Sequence, residues 1–584
     1  MGYSILLVCE SFVVSLLLVA VLVAATARGT TMVYRVARVA AVIFIIAIGV
    51  LYTGLSLALT WSLFTTWARN DFVRWTSLAV GFALPFIIGV VLIIRGWRRV
   101  KGDVSLLPRA AAWSLGGLVT LFLAACAIHL LTFTLFDLTI RQTLAAVRVE
   151  AYTLAASTAP PRPPEDQNAG VIYDALFQRW ALSKKSWPEV FRRAEEALVG
   201  EKEGHQGDGP DAKGDGRMEA FDFGSEDLAQ FLRERAGELT LLRQAAAMPC
   251  CRFERDYFRP TPTMILPQLS HFRTAARLLA VDARHCTARG NISQAVEDVN
   301  AILGIARHTR EPLLLALLVS ISIETTAARE LENILNHPDV TEERLAHVDL
   351  GMTYSLRDAF VRSLRMEEAM GLLAFCAIGT GEIGLTQLID EGSQPMMTGF
   401  SQTFVLVSLP PWLLEDLTVY RQSMREFQTL VAMRERPVND QVSSLKQLED
   451  RVKSVQSRAP LTNLLVPTYQ HMFLGVGRAE GHRSVVIAGL ATYRYALRHN
   501  RLPGTLDELV PEYLPFVPLD PFDGHAIRMK STAEGEVTVY SIGPDLQDDG
   551  GQPLERDQTT SELKGDVIFT VRWSPEKRGA STSP

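Results

Sequence analysis

Four apolar stretches crowd into the first quarter of this 584-residue chain: Ile5–Ala25, Val39–Phe64, Trp75–Ile94 and Ala111–Phe136. A helix needs about 20 mostly apolar residues to cross a bilayer, so the sequence predicts a four-helix transmembrane region over residues 1–138. Met1–Ser4 carries no Lys or Arg and three further stretches follow, so the first reads as a retained span and not as a cleaved signal. Basic residues collect after the first stretch (Arg28, Arg35, Arg38) and after the third (Arg95, Arg98, Arg99, Lys101, Arg109). Between the second and third, Arg69 and Arg74 are offset by Asp71. Lys and Arg mark cytoplasmic loops, so both termini are expected outside. The address that follows is a bacterial inner (cytoplasmic) membrane, multi-pass, with the large C-terminal part extracytoplasmic. Within the stretches, Glu10 and His129 are read either as polar glue between helices or as a proton path.

Composition narrows the function classes. The formal net charge is −6 and no long basic run exists, which argues against nucleic acid as a partner. No C-x-x-C pair is present, which removes a zinc ribbon. Cys9 and Cys126 lie in the apolar stretches. Cys250, Cys251, Cys286 and Cys376 lie beyond them, as two bridges or as small buried hydrophobes. G-x-S-x-G, H-E-x-x-H, Walker A and the Gly-rich nucleotide fingerprint are all missing, so the sequence leans away from an enzyme. His285 stands beside Cys286, but sequence neighbours on a helix point to different faces and make no nucleophile pair.

Residues 139–216 read as a juxtamembrane helix and linkers. A helix over Thr139–Ala156 is broken by the Pro-rich Ala159–Pro164, a second helical piece covers Gly170–Leu198, and the Gly- and charge-rich Glu201–Gly216 reads as a disordered loop. Residues 217–465 read as an all-helical domain. Leu228, Phe231, Leu232, Leu239 and Leu242 share one face at helical spacing. Phe272–Ala288 and Ile292–His308 form a helix pair around the turn Arg289-Gly290-Asn291, with Asn291 and Gln294 at capping-box spacing and Ile292, Val296, Val299, Ile302 and Ala306 as the buried face. This pair is TPR-like, though fewer than three such units are visible. Leu313–Ile323 is too short to span and reads as a core helix. Met396–Leu414 reads as core or membrane-surface packing in preference to a fifth span, and Gln441–Ser457 as a solvated amphipathic helix.

Residues 466–573 form the last predicted domain, before a polar tail at 574–584. A helix over Arg478–His499 carries Val486, Leu490, Tyr493 and Leu497 on one stripe. Strand-like pieces follow at His525–Lys530, Glu536–Ser541 and Val567–Trp573, separated by Gly, Asp and Pro. Asp545, Asp548 and Asp549, interleaved with Gly543, Gly550 and Gly551, supply the oxygens and flexible turns that calcium takes. A solvated acidic turn without an ion is the competing reading. Asp520 and Asp523 in LDPFDG read as turn formers. The series helix, NRLPGTLDEL, LDPFDG, VYSIGPD, GDVIF resembles the C-terminal domain of the major pseudopilin of type II secretion systems. That resemblance implies a small α+β, pseudopilin-like domain with a long helix on an antiparallel sheet. It also implies one calcium ion held by Ser541, Ile542 (through its carbonyl), Asp545 and Asp566, with Asp548 and Asp549 as added ligands. The N-terminus departs from the family: Leu7 stands where the family's Glu is expected and Glu10 comes three residues late. The helical region, with DQNAGVIYDAL and LLAVDARHCTARGNISQAVEDV, looks like a class of bacterial membrane-anchored proteins that carries no known activity.

The sequence thus predicts a membrane-anchored extracytoplasmic binding or scaffold protein with a calcium-stabilised, pseudopilin-like module and a protein partner it does not identify. The alternatives are an accessory component of a secretion or pilus-like system, and a membrane sensor or enzyme using the transmembrane bundle.

Overall fold

The computed structural model describes residues 140–182, 187–200, 221–258, 266–350, 355–380, 382, 399–456, 458–466, 469–531, 535–556 and 563–573. The chain divides into two compact units. The first, Met1–Leu144 with Glu391–Pro411, contributes to the described residues only 140–144 and 399–411, both helical. The second, Ala145–Asp390 with Trp412–Pro584, holds everything discussed below.

Helix dominates. In order the helices are α1 (140–158), α2 (Ala169–Leu182), α3 (Glu189–Gly200), α4 (Glu226–Glu234), α5 (Ala236–Ala247), α6 (Gln268–Ala288), α7 (Ile292–Thr309), α8 (Leu314–Leu335), α9 (Glu342–Leu345), α10 (Leu356–Thr380), α11 (Gly399–Ala432), α12 (Val438–Ser454), α13 (Pro460–Leu465) and α14 (Tyr469–His499). Five strands follow: β1 (Arg528–Ser531), β2 (Glu536–Ser541), β3 (Glu555–Arg556), β4 (Leu563–Lys564) and β5 (Val567–Arg572).

The array is built around α7, which packs chiefly on α8, α6 and α5. Its expected face, Ile292, Val296, Val299, Ile302 and Ala306, is buried throughout. The α6–α7 turn works because Gly290 takes φ +77°, where a Cβ would be strained, and the Asn291 side chain accepts the Gln294 N–H at 3.4 Å. Gln294 itself turns to Glu297, so only half of the capping box forms. The apolar stripe that begins at Leu228 belongs to two helices, because Arg235 leaves helical geometry between α4 and α5.

Helix α14 joins the array to the C-terminal sheet. It packs on α8, α9, α10 and α12 and also on β2 and β5, and one buried apolar cluster runs from Tyr173 to Trp573 through Val485, Leu490 and Tyr493. The sheet is antiparallel in the order β1-β2-β5, with Val537 opposite Val571 and Val539 opposite Phe569. Gly489 makes the closest approach possible: a Cβ there would lie 2.1 Å from the Phe569 ring. Helix α12, expected to be solvated, buries Leu445, Leu448 and Val452, and its Gln441 donates to the Leu430 and Met433 carbonyls at the end of α11.

The four-span transmembrane fold and the multi-pass inner-membrane address are corrected here. Among the described residues no helix is long and apolar enough to cross a membrane, and the four apolar stretches, with Glu10 and His129, lie outside the described residues. The physical reason is visible in the longest helices. Charges interrupt each apolar run before about 20 residues accumulate, as Glu324, Arg329, Glu330 and Glu332 do in α8 and Glu415 and Asp416 do in α11. The described part of Met396–Leu414, residues 399–414, belongs to α11, which is not apolar enough over a span's length to cross a membrane.

Candidate functional site

The acidic C-terminal loop carries the residues that the sequence marks as candidate calcium ligands. Its carboxylates are used as acceptors for backbone N–H groups. Asp566, fully buried at the head of β5, accepts from Gly551 N at 2.6 Å and Asp549 N at 3.4 Å. Burial raises its pKa, and those bonds oppose the rise. Asp545 accepts from Gly565 N at 2.7 Å and Gln547 N at 3.3 Å. Asp548 accepts from Gly550 N at 3.0 Å and pairs with Arg528 at 3.1 Å. The Asp549 side chain points to solvent. The glycines are structural: Gly565 at φ +100° and Gly543 at φ +71° meet other backbone where a Cβ would clash. Ser541 and Ile542 turn to Asp520, whose fully buried carboxylate accepts from Ser541 Oγ (2.8 Å), Ile542 N (2.9 Å), Phe522 N (3.0 Å) and Arg528 (3.2 Å). Asp523 is held below the ordinary carboxylate range: burial works against this, but Arg528 and the His525 N–H outweigh it. LDPFDG and VYSIGPD are thus two halves of one hydrogen-bonded corner. In NRLPGTLDEL, Glu508 plays the same part, accepting from Tyr495 Oη, Arg501 and Gly504 N, which together hold it at about 2.

No three of the loop carboxylates converge. Among the described residues, the three-membered set of His, Cys, Asp or Glu whose donor atoms lie within 4.8 Å of one another is Asp282, Cys286 and Asp298, all buried. Asp282 and Cys286 are one turn apart on α6, and Asp298 faces them from α7. Arg243 of α5 reaches between the carboxylates, donating to Asp282 Oδ2 and, at 2.7 Å, to Asp298 Oδ1. A guanidinium therefore already fills the cationic position, and a metal ion there would meet it in direct contact with the same two groups. Burial, then the Asp282 charge, raises Asp298 well above the aspartate range. Burial and the same charge push the Cys286 thiol up to about 12, which leaves it protonated and unreactive.

The remaining sequence candidates separate. His285 bonds the Phe223 carbonyl at 2.7 Å, away from Cys286. His308 lies between Tyr173 Oη (3.1 Å) and the Met248 carbonyl (2.9 Å), and burial lowers it to about 4. Cys250, Cys251, Cys286 and Cys376 form no disulfide with one another. Sequence reasoning missed the Arg243 junction. Its signal was present in LLAVDARHC and ISQAVEDV, where Asp282 and Asp298 interrupt apolar faces of adjacent helices.

An open groove of about 490 Å³ lies along α11, lined by Thr418, Arg421, Gln422, Arg425, Glu426 and Thr429. These positions form one face of the helix. Arg421 donates to Glu150 of α1 through one terminal nitrogen, while its buried Nε–H has no hydrogen-bond partner. Arg425 reaches Glu150 only at 3.8 Å, and Glu426 pairs with Arg451 of α12. The exposed guanidinium of Arg425 and the partly exposed one of Arg421 thus stand one turn apart on the groove face. A scan against protein-family models finds no match to this chain, and searches of curated proteins and of solved structures find none.

Proposed function

We propose that this protein is a binding scaffold whose helical array offers the α11 groove to an acceptor-rich segment of a protein partner. The observation that carries the reading is the pair of guanidinium groups, Arg421 and Arg425, one turn apart on the face of α11 that lines the open groove. Planar guanidinium forks recognise carboxylates and carbonyls through paired hydrogen bonds, and Arg425, 71% exposed, stands one turn away to supply a second. The continuous core through α14 supports the scaffold half of the reading, since it lets the C-terminal α+β module stiffen the array. Helical arrays serve many functions, so the fold by itself is analogy.

The test places a photo-crosslinking residue at Gln422 in the full chain, with a control at the exposed Glu343. A discrete polypeptide adduct from position 422 alone, lost on Arg421→Ala with Arg425→Ala, is the expected result. Equal adducts from both positions, or adducts that survive the double substitution, would refute the groove as the binding site.

A further inference from the structure

The junction of α5, α6 and α7 contains more acceptor than the visible donors can satisfy. Arg243 accounts for Asp298 Oδ1 and Asp282 Oδ2, and the Cys286 thiol lies 3.9 Å from Asp282 Oδ1. Asp298 Oδ2 is left, buried in a residue with no exposed surface and without a hydrogen-bond partner. One guanidinium balances one of two carboxylates. A second full negative charge on Asp298, which has no exposed surface, would lack a cation of its own.

We propose that Asp298 keeps its proton at neutral pH, so that the junction is a buried acid beside the Asp282 carboxylate, clamped by Arg243, and the array loosens when alkali strips that proton to solvent. The proton resolves both anomalies together. It cancels the excess charge, and it turns the orphan oxygen into a donor toward the neighbouring carboxylate. Two carboxylates forced together behave in this way because both cannot ionise cheaply. Burial and the Asp282 charge, which raise Asp298, act in the same sense.

The other charged groups around α7 are engaged elsewhere. On α8, Glu330 pairs with Arg284, and Glu324 with Arg310 and Arg483. Glu332 lies toward Arg572, Arg329 and Arg284. On α9, Glu342 pairs with Arg494, Arg344 donates to the Asp339 carbonyl and Glu343 is exposed. On α7 itself, Glu297 bonds Gln294, Arg307 pairs with Asp349, and His308 bonds Tyr173 and Met248. On α5 and α6, Glu238 pairs with Arg235, Arg277 with Glu195 and Arg289 with Glu226, and His285 bonds the Phe223 carbonyl. The groups in contact with the two aspartates are Arg243 and Cys286.

The sign follows from linkage. A carboxyl raised in the folded state binds its proton more tightly folded than unfolded. Stability is then greatest at low pH and falls as pH climbs from the ordinary aspartate range through the raised value. The experiment uses the full chain. Infrared difference spectra should show a protonated-carboxyl C=O band at neutral pH that vanishes in Asp298→Asn and bleaches on alkalinisation. In parallel, the Tm of the wild type should fall by several degrees from about pH 6 to about pH 9, while Asp298→Asn, whose amide keeps the donor, should be flatter. Asp282→Asn provides a second route: the band should vanish there too, because the lone carboxylate then pairs with Arg243. A neutral-pH spectrum without the band, parallel Tm–pH curves, or a stoichiometric metal ion in the purified chain that is lost with Asp298→Asn would overturn the proposal.

Discussion

The helical array and the C-terminal module both bury carboxylates, and they satisfy them differently. In the module, Asp520, Asp545 and Asp566 accept from backbone N–H groups of turns. In the array, Asp282, Asp298, Glu324 and Glu330 accept from the guanidinium groups of Arg243, Arg310, Arg483 and Arg284. The difference follows from the backbone. A helix interior satisfies its own N–H groups, so a carboxylate buried between helices finds backbone donors only where another helix begins, as Asp416 does at Leu461 and Thr462, and elsewhere needs a cation. Turns in a small sheet leave N–H groups pointing inward, and an Asp side chain is the shortest acceptor that can reach them. Acidic residues thus act chiefly as ion-pair members in one region and chiefly as turn clamps in the other, where Arg528 adds a cation to Asp520, Asp523 and Asp548.

Removing the cation should have the largest effect. Arg243→Leu strands two carboxylates in the core, and breaking a buried pair from one side costs about 3–5 kcal/mol. Chemical denaturation of the full chain measures it. The loss should be greater in alkali than in mild acid, where the pair can take up a proton. A pH-independent loss of under about 1 kcal/mol would make Arg243 an ordinary surface-type pair.

The module equivalent is Asp520→Ala. It orphans the Ile542 and Phe522 N–H groups and frees Ser541 Oγ and Arg528. Each buried donor left unmade costs about 1–3 kcal/mol, so a loss of about 3 kcal/mol is expected. Asp520→Asn should recover part of it, since the remaining carbonyl oxygen still accepts. If Asn behaved as Ala, charge and not acceptor geometry would hold this corner, and the contrast between the two regions would collapse.

Where the regions meet, Gly489→Ala tests the shared core. The added Cβ falls inside the Phe569 ring contact, so overpacking of about 1–3 kcal/mol should outweigh the gain in helix propensity. A stabilised variant would mean that α14 and the sheet can part.

What was legible beforehand divides along the same line. Helix faces were readable because burial follows periodicity: Leu228, Phe231, Val299 and Val486 all lie inside. The strands were readable from their flanking Gly, Asp and Pro. The roles of the charged residues were not, because spacing reports which face a residue occupies and says nothing of the cation opposite. Asp282 and Asp298 become a pair only through Arg243, some forty residues upstream of the first. The acidic loop is ambiguous in a different way. Alternating Asp and Gly fits calcium coordination and backbone clamping equally well, since both exploit oxygen acceptors and left-handed turns.

The smallest predicted effect separates those two uses. Asp545→Ala removes the acceptor for Gly565 N at the entrance to β5, a half-exposed contact worth about 1 kcal/mol. If the loop is clamped by its own backbone bonds, the Tm of the wild type should be unchanged between calcium and EDTA, and the variant should lose the same few degrees in both. A calcium-dependent rise in the wild type that disappears in Asp545→Ala and Asp566→Ala would mean that an ion displaces these N–H partners. The module would then satisfy its carboxylates with a cation, as the array does with arginine.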